Sequence, residues 1–202
     1  MLSVVYKTIK IRRSVHRYLS KDVADDVLWR VLDAARWAPS AHNAQPWRFV
    51  VIKDPDIKRK LAEAMAKEWD KDMDKDGVPS KDRNRLIGAS IEQFTHPPTL
   101  IIVCLAMEDM NMYLDKRRQT AEYMMAIQSI AAGIQNLLLA AYAEGLGTCW
   151  FCAPLFCPET IREILDIPEQ IKPQALITLG HPAEKPEAPP RKPLEKMVFK
   201  KY

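Results

Sequence analysis

Apolar residues recur along the chain at two spacings, and each spacing predicts one kind of secondary structure. Residues 2–10 and 23–37 place apolar side chains at helical intervals; Asp22 is a candidate N-cap of the second helix, and Asp25 lies in its first turn. Residues 119–144 are apolar over much of a helical circumference, which predicts a helix at the centre of the fold or at an interface. Further helices are predicted from Asp54 to about residue 69, over residues 81–94 and over residues 158–165.

Short apolar segments between these helices predict the strands. Residues 99–105 form a continuous apolar run of the kind found in buried strands, and residues 47–53, 147–151 and 174–179 are also predicted strands. Residues 70–77 are charged and are predicted to form a solvated, turn-rich excursion. Because strands and helices do not alternate as regular βαβ units, we predict a single α+β domain over residues 1–202, with a mixed central sheet and helices on both faces.

Composition agrees with an ordinary globular protein. The chain has 202 residues, of which 48% are hydrophobic and 28% charged, and its formal net charge is +4. This mild excess, without basic clusters interleaved with aromatic residues, excludes a nucleic-acid surface. Part of the excess lies in the C-terminal tail, where it suits either a solvated terminus or anion binding: Arg191, Lys192, Lys196, Lys200 and Lys201.

The lack of a recognisable signal peptide and the low cysteine content favour a cytoplasmic protein without a membrane span. Residues 1–11 lack the apolar core of a signal peptide, and the apolar run 124–143 is interrupted by polar residues such as Gln128 and Asn136. Four cysteines are too few for a disulfide framework in a chain of this length, which favours a reducing compartment. The spacing Cys149-x-x-Cys152 with Cys157 lacks a fourth metal ligand, so we expect no metal site and buried, inert thiols.

The segment between Pro39 and Trp47 carries the most informative chemistry. A helix stops at one proline and a strand starts after another, and the loop between them presents Ser40, His42, Asn43 and Gln45. Hydroxyl and amide groups match the alternating donors and acceptors on the pyrimidine edge of a flavin. The alternative is that these side chains satisfy the loop's own backbone.

Two further segments complete a candidate cofactor site. Arg12, Arg13, Ser14 and His16 suit a phosphate and a ribityl chain, or else form an exposed basic turn. In residues 145–152, Gly145 is a candidate helix cap and Gly147 permits close backbone approach, while Trp150 and Phe151 either lie beside a ring or belong to a core strand. No dinucleotide or P-loop glycine motif occurs, and the histidines are not paired with a nucleophile, so no catalytic side chain is predicted.

Taken together, these motifs resemble the FMN-dependent nitroreductase family. The segment Arg12-Arg-Ser-Val-His16 resembles its R-R-S-[VI]-R signature, with His16 in place of a basic residue, and residues 35–49 resemble its A-P-S-x-x-N-x-Q-P-W loop. Residues 135–147 resemble its central helix and the exit from it, and residues 180–192 its closing strand and phosphate-binding tail. Residues 61–79 and 147–156 also resemble the reductase half of the ligase that matures the deazaflavin coenzyme F-420.

The resemblance implies an FMN enzyme that works as a homodimer with the flavin at the subunit interface. Hydride would pass from NAD(P)H to the flavin and then to a small organic acceptor by a ping-pong mechanism, the acceptor being a nitroaromatic, a quinone or a deazaflavin precursor. The alternative is a non-catalytic flavin or deazaflavin carrier. The implied FMN contacts are Arg12, Arg13, Ser14, His16 and Arg191 at the phosphate–ribityl end, Pro39, Ser40, Ala41 and Asn43 from the second subunit, and Trp150, Phe151 and Cys152 at the ring. Gln45 joins these candidates through its amide, which matches the pyrimidine edge.

Overall fold

The helices and strands follow the predicted order along the chain. The structure, a computed structural model, describes residues 3–202; the predicted start of the first helix at Leu2 lies outside them. Within the described residues the helices are α1 (Val4–Ile11), α2 (Asp25–Arg36), α3 (Pro55–Lys75), α4 (Ser80–Thr95), α5 (Lys116–Ala143) and α6 (Pro158–Leu165). The strands are β1 (Trp47–Ile52), β2 (Thr99–Ala106), β3 (Gly147–Phe151) and β4 (Ile171–Gly180).

The four strands form one sheet in the order β1-β2-β4-β3. All three strand pairs are antiparallel, and β2 and β4 are central, so that every residue of β2 is buried. Among residues 3–202, parallel pairing is limited to one bridge, in which Ser14 pairs with Thr148 of β3. This bridge brings the segment that follows α1 to the outer edge of β3.

Helices cover both faces of the sheet, as predicted. Side chains on alternate positions of β2 point to opposite faces. Ile101 and Val103 pack with α2 and α5 in one core, whereas Leu100 and Ile102 pack with α3 and α6 in the other. The α+β class with helices on both faces is therefore confirmed.

Helix α5 is the helix in the described part of the chain that is long and apolar enough to cross a membrane. Its buried residues, including Ala126, Ile130, Ile134 and Leu137, belong to the core between α2 and the sheet. Core packing therefore accounts for the apolar composition of this helix, as for many central helices of globular proteins.

Two local predictions were wrong. Residues 70–75 continue α3 instead of forming an excursion, because Met73 is buried and the charges are paired along the helix and with Arg83 of α4. Helix α2 begins at Asp25 after Ala24, which makes no side-chain capping bond, so Asp22 is not its N-cap. The backbone before α2 is held instead by Lys53, whose ammonium donates to the carbonyl of Val23 at 2.8 Å.

Candidate functional site

The basic segment after α1 is held against β3 by its backbone. The N–H of Val15 donates to the carbonyl of Thr148 at 2.9 Å, beside the bridge formed by Ser14. Gly147 permits this approach, because a Cβ at that position would lie 2.9 Å from three side-chain atoms of Val15. The close approach predicted for Gly147 is therefore confirmed, and it fixes the position of Arg12 and Ser14 relative to β3.

Positive charge gathers around Arg12 without a compensating carboxylate. Burial, then Arg13 and also Arg191, lower the pKa of Arg12, which shows that the tail brings Arg191 near this segment. Within residues 3–202, no carboxylate lies within 4.0 Å of these three guanidinium groups. Clustered cations that are partly desolvated and unpaired favour an anionic ligand, and a phosphate matches the guanidinium fork.

The three arginines differ in how far they are available to such a ligand. Arg13 donates from Nη1 to the carbonyls of Lys10 and Arg12, each at 2.7 Å, so this guanidinium is already engaged at the C-terminal end of α1. The guanidinium groups of Arg12 and Arg191 make no hydrogen bond within the described chain. They are therefore the better candidates for direct contact with a phosphate.

His16 lies beside Ser14 at the start of β3 and contacts side chains from two elements, β3 and α4. Its Nε2 is 3.8 Å from Sγ of Cys149, its Nδ1 is 3.3 Å from Nε2 of Gln93 on α4, and its ring meets the edge of Phe151 at 6.0 Å. Burial raises the pKa of Cys149, and a hydrogen bond from Ser14 and the charge of Arg12 oppose that rise. The imidazole thus links the basic segment to β3 and α4.

The end of β3 presents an exposed edge next to a packed aromatic pair. Phe151 meets Phe94 of α4 edge-to-face at 5.1 Å, whereas Trp150 and Cys152 are exposed. The prediction that all the thiols are buried was therefore wrong for Cys152, which stands where β3 ends and a short 3-10 helix begins. Burial raises the pKa of Cys157 to about 11, and in the described residues no three His, Cys, Asp or Glu side chains converge as metal ligands.

The loop between α2 and β1 has an unusual backbone. His42, Asn43 and Gln45 adopt positive φ angles of 56°, 55° and 47°. For residues other than glycine this conformation is sparsely populated and costs on the order of 1–3 kcal/mol each. Such strain persists where the surrounding structure holds it, and it is concentrated at functional sites.

Contacts with α5 hold this loop in place. The N–H of Ala41 donates to Oγ of Ser129 at 3.1 Å, and Nε2 of His42 lies 3.2 Å from Oε1 of Glu122. Glu122 is only 3% exposed, and its Oε2 has no hydrogen-bond partner in the described structure. Asn111 also reaches Nε2 of His42, at 3.1 Å. The strained turn is thus anchored to a buried carboxylate and a serine on the central helix.

The polar side chains of the loop divide into two groups. The hydroxyl of Ser40 accepts from the N–H of Gln45 at 3.1 Å, so this side chain serves the loop's own backbone. The amides of Asn43 and Gln45 are exposed and make no side-chain hydrogen bond within residues 3–202. Pro39 is exposed and Ala41 half-buried beside them. The amides are therefore available to a ligand that offers alternating donors and acceptors.

The phosphate-end residues and the loop residues do not meet within one chain. The loop contacts α5 at Glu122 and Ser129, whereas the segment that contains Ser14 lies against β3, beyond the end of α5 at Ala143. At 1.5 Å per residue, the helix between Ser129 and Ala143 spans roughly 20 Å. One chain therefore provides two separate halves of the predicted site.

Sequence reasoning missed the residues that support the loop. Glu122 and Ser129 were visible as polar interruptions of an otherwise apolar helix, which is a signal of a buried polar contact. The loop has no glycine to mark its positive φ angles, and the signal it did carry was the pair His42 and Asn43, since histidine and asparagine adopt this conformation more often than other residues.

Comparisons with known proteins agree with this geometry. A family model described as the nitroreductase family matches residues 9–181. An NADH dehydrogenase from Thermus thermophilus is 31% identical over 212 residues, covering 93% of this chain and 91% of that protein. A BluB-like flavoprotein from Clostridium difficile has a TM-score of 0.81 at 25% identity, over 99% of this chain and 100% of the other. A protein from Desulfovibrio desulfuricans, assigned as a nitroreductase and solved in complex with FMN, has a TM-score of 0.74 at 26% identity, over 100% and 99% of the two chains.

Proposed function

The chain belongs to the nitroreductase family, and on this premise we propose that it is a cytoplasmic FMN-dependent oxidoreductase. It passes hydride from NAD(P)H to a small organic acceptor by a ping-pong mechanism, the acceptor being a nitroaromatic, a quinone or a deazaflavin precursor. The observation that carries the proposal is the unpaired cation cluster of Arg12 and Arg191 beside β3. The Thermus relative supports a nicotinamide donor, and the Desulfovibrio neighbour supports FMN.

The residues present fit a flavin mononucleotide. Arg12 and Arg191 would hold its terminal phosphate, and Ser14 would contact the phosphate–ribityl end. Asn43 and Gln45 would match the pyrimidine edge with their amides. A single terminal phosphate favours FMN over FAD, since the chain has no glycine motif for a pyrophosphate.

The chemistry requires little from the side chains themselves. Bound flavin supplies the hydride transfer, and the protein supplies binding, orientation and electrostatics. Backbone N–H groups near the end of β3, around Phe151 and Cys152, would orient the ring, and the strained loop would present its amides without further rearrangement. Because the flavin carries the hydride, we predict no catalytic acid or base among the side chains.

A second copy of the chain would complete the site. Because the two halves are separated along α5, a flavin that contacts both must receive them from different subunits of a homodimer. Apolar residues left exposed on α1 and nearby support such an interface: Val4, Val5, Tyr6 and Ile9, together with Trp37, which is 74% exposed.

We expect the purified protein to be yellow and to release FMN on heating. Separation of the released cofactor by HPLC should give FMN as the dominant species, because the site offers cations for one phosphate. Under anaerobic conditions NADH or NADPH should bleach the bound flavin, and an organic acceptor should restore the colour.

Three results would count against this function, each in a different way. A dominant FAD peak would contradict the phosphate assignment. A flavin that stays oxidised with either nicotinamide would favour the non-catalytic carrier. A colourless protein whose thermal stability does not rise with added FMN would exclude flavin binding, because a ligand of the native state raises stability by mass action.

We also expect two defective variants to restore one site when they share a dimer. Arg12→Ala and Asn43→Ala should each lower FMN occupancy, because each removes one half of the contacts. Co-expressed with different tags and purified as a mixed dimer, they should bind one FMN per dimer with the parent affinity. The reason is that one of the two interface sites then contains both native residues.

A site formed within one chain would give a different result in the mixed dimer. If each chain binds FMN alone, both sites of the mixed dimer carry one defect, and no site of parent affinity appears.

Light scattering at low micromolar concentration should show about twice the chain mass, as closed two-fold symmetry requires.

A further inference from the structure

Helices α3 and α4 enclose a cavity that has no role in the site described above. Its volume is about 750 Å³, within the range of pockets that bind small molecules. One wall is α3, the second is α4, and the floor is formed by the short segment after β3. The residues used below are Trp69, Asp76, Gln93, Phe94 and Phe156, all of which line it.

Aromatic side chains form much of the cavity wall. Trp69 is 42% exposed and Phe156 is 81% exposed, whereas Phe94 is buried at the inner end. Aliphatic side chains of Met65 and Leu86 complete the apolar surface. A flat aromatic molecule can stack on exposed aromatic side chains at the mouth of a cavity, and binding then buries their apolar surface.

The charges around the cavity are predominantly negative. Glu68, Asp72 and Asp76 line it together with Lys75, and Glu68 pairs with Lys71 at 2.7 Å, so the uncompensated negative charge is that of Asp76. Lys75 pairs with Asp72 at 3.0 Å, whereas no cation lies within 4.0 Å of Asp76 in the described chain. Asp76 is also the C-cap of the 21-residue helix α3, where the helix dipole adds partial negative charge. A positively charged ligand is therefore favoured and an anion disfavoured.

The inner end of the cavity adjoins the candidate flavin site. Phe94 contacts Phe151 edge-to-face, and Gln93 reaches Nδ1 of His16 at 3.3 Å. The residues of the floor, from Ala153 to Cys157, directly follow Cys152. A molecule in the cavity would therefore lie next to the part of β3 that the proposed function places at the flavin ring.

We propose that this cavity binds the electron acceptor, and that the acceptor is a planar aromatic molecule carrying a positive charge. The inference rests on the proposed oxidoreductase function and adds the chemical class of its acceptor. The aromatic walls select for a flat ring, and Asp76 at the C-terminal end of α3 selects for the charge.

Direct binding to the FMN-saturated protein tests the site and its charge preference. The probes are N-methylquinolinium and quinoline-4-carboxylate, which are similar in size and opposite in charge, measured by calorimetry at low salt. We expect the cation to bind at least about fivefold more tightly, as for one unit charge acting across about 4 Å in water. The preference should shrink as salt is raised, since surface charges are screened.

Matched variants locate the binding. Asp76→Asn should weaken binding of the cation about fivefold, whereas Glu63→Gln, at an exposed carboxylate on α3 outside the cavity, should leave cation binding unchanged. Trp69→Ala should weaken both probes, because the stacking surface is lost. Trp29→Ala, an exposed tryptophan on α2, is the control.

The acceptor role needs a kinetic test. Flavin reduced with dithionite is mixed with (4-nitrophenyl)trimethylammonium or with 4-nitrobenzenesulfonate. Each nitro compound accepts two electrons and two protons, and the products are a nitroso compound and water. Rates are divided by those with free reduced FMN, which removes the intrinsic reactivity of each probe. We expect the cation to react faster by a similar factor, and Asp76→Asn to remove the difference.

The possible failures are distinguishable. Equal affinity for the two quinoline probes, or unchanged binding in Trp69→Ala, would overturn the inference while FMN binding and bleaching by NADH still supported the proposed function. A charge preference in binding without one in the normalised rates would overturn the acceptor role. A colourless protein that bound the cation through Trp69 would instead refute the oxidoreductase proposal.

Discussion

Replacing Arg12 with alanine is expected to weaken FMN binding by about 1.5–3 kcal/mol, the range for a lost hydrogen bond to a charged group. This corresponds to an increase in Kd of roughly 10- to 150-fold. The expectation follows from the position of Arg12, which is half-buried, lies near Arg13 and Arg191, and has no carboxylate partner in the described structure. Fluorescence titration of free FMN into the flavin-depleted protein would measure the change.

The same substitution should not destabilise the flavin-free protein. In the absence of a ligand, the charge of Arg12 is opposed by burial and by its two arginine neighbours, so its removal relieves repulsion. We therefore expect the melting temperature without FMN to stay the same or rise, while the increase produced by added FMN becomes smaller. A merely structural arginine would show the opposite pattern.

Two further variants define the interaction. Arg12→Lys keeps the charge but loses the planar fork, and its FMN affinity should fall between those of the parent and of Arg12→Ala. Arg17→Ala is the matched control, because Arg17 is an exposed arginine on the same segment. Full FMN occupancy of Arg12→Ala after dialysis would show that the phosphate assignment is wrong.

The substitution Gly147→Ala is expected to reduce both stability and FMN binding. An added Cβ would meet the Val15 side chain at 2.9 Å, closer than packed carbon atoms normally approach. Overpacking of this kind costs about 1–3 kcal/mol. Ser14 pairs with Thr148, and the N–H of Val15 donates to the carbonyl of Thr148. A displacement of Val15 must therefore also move the segment with Arg12 away from β3. Chemical denaturation and FMN titration would measure the two effects.

A glycine elsewhere in the chain provides the control for this prediction. At Gly88, within α4, a Cβ would meet nothing within 4 Å. Gly88→Ala should therefore stabilise the protein by about 0.5–1 kcal/mol, as in an exposed helix interior. Val15→Ala added to Gly147→Ala should restore part of the lost FMN affinity, since it removes the two Cγ contacts and leaves only the contact with the Cβ of residue 15. Unchanged affinity in Gly147→Ala would contradict the role of this contact.

Both halves of the candidate site are locally unfavourable in the chain without a ligand. The cations around Arg12 repel each other, and the loop holds His42, Asn43 and Gln45 at positive φ. Contacts elsewhere sustain them, namely the packing of Val15 on Gly147 and the anchoring of the loop to α5. Departures from local preference of this kind are concentrated at functional sites.

The secondary structure and the types of residue that form the candidate site could be predicted from the sequence, because both depend on local patterns of residues. Helical periodicity located α5 and apolar runs located β2, since each element buries its apolar side chains in a regular repeat. The two prolines around the loop and the Arg12-Arg13-Ser14 segment indicated a flavin site through residue types alone. The wrong prediction for residues 70–77 also concerned a local segment. The composition of this segment predicted a turn, but paired charges and the buried Met73 extend α3 through it.

Only the tertiary structure decided how these segments are arranged in space. It showed one half of the site against α5 and the other against β3, the strained loop anchored to the buried Glu122, Cys152 exposed at the end of β3, and a cavity between α3 and α4. These features depend on contacts between residues far apart in the chain, and on backbone angles imposed by those contacts. Local residue patterns encode neither, because the same loop sequence is free to adopt other conformations until α5 and the sheet fix its position.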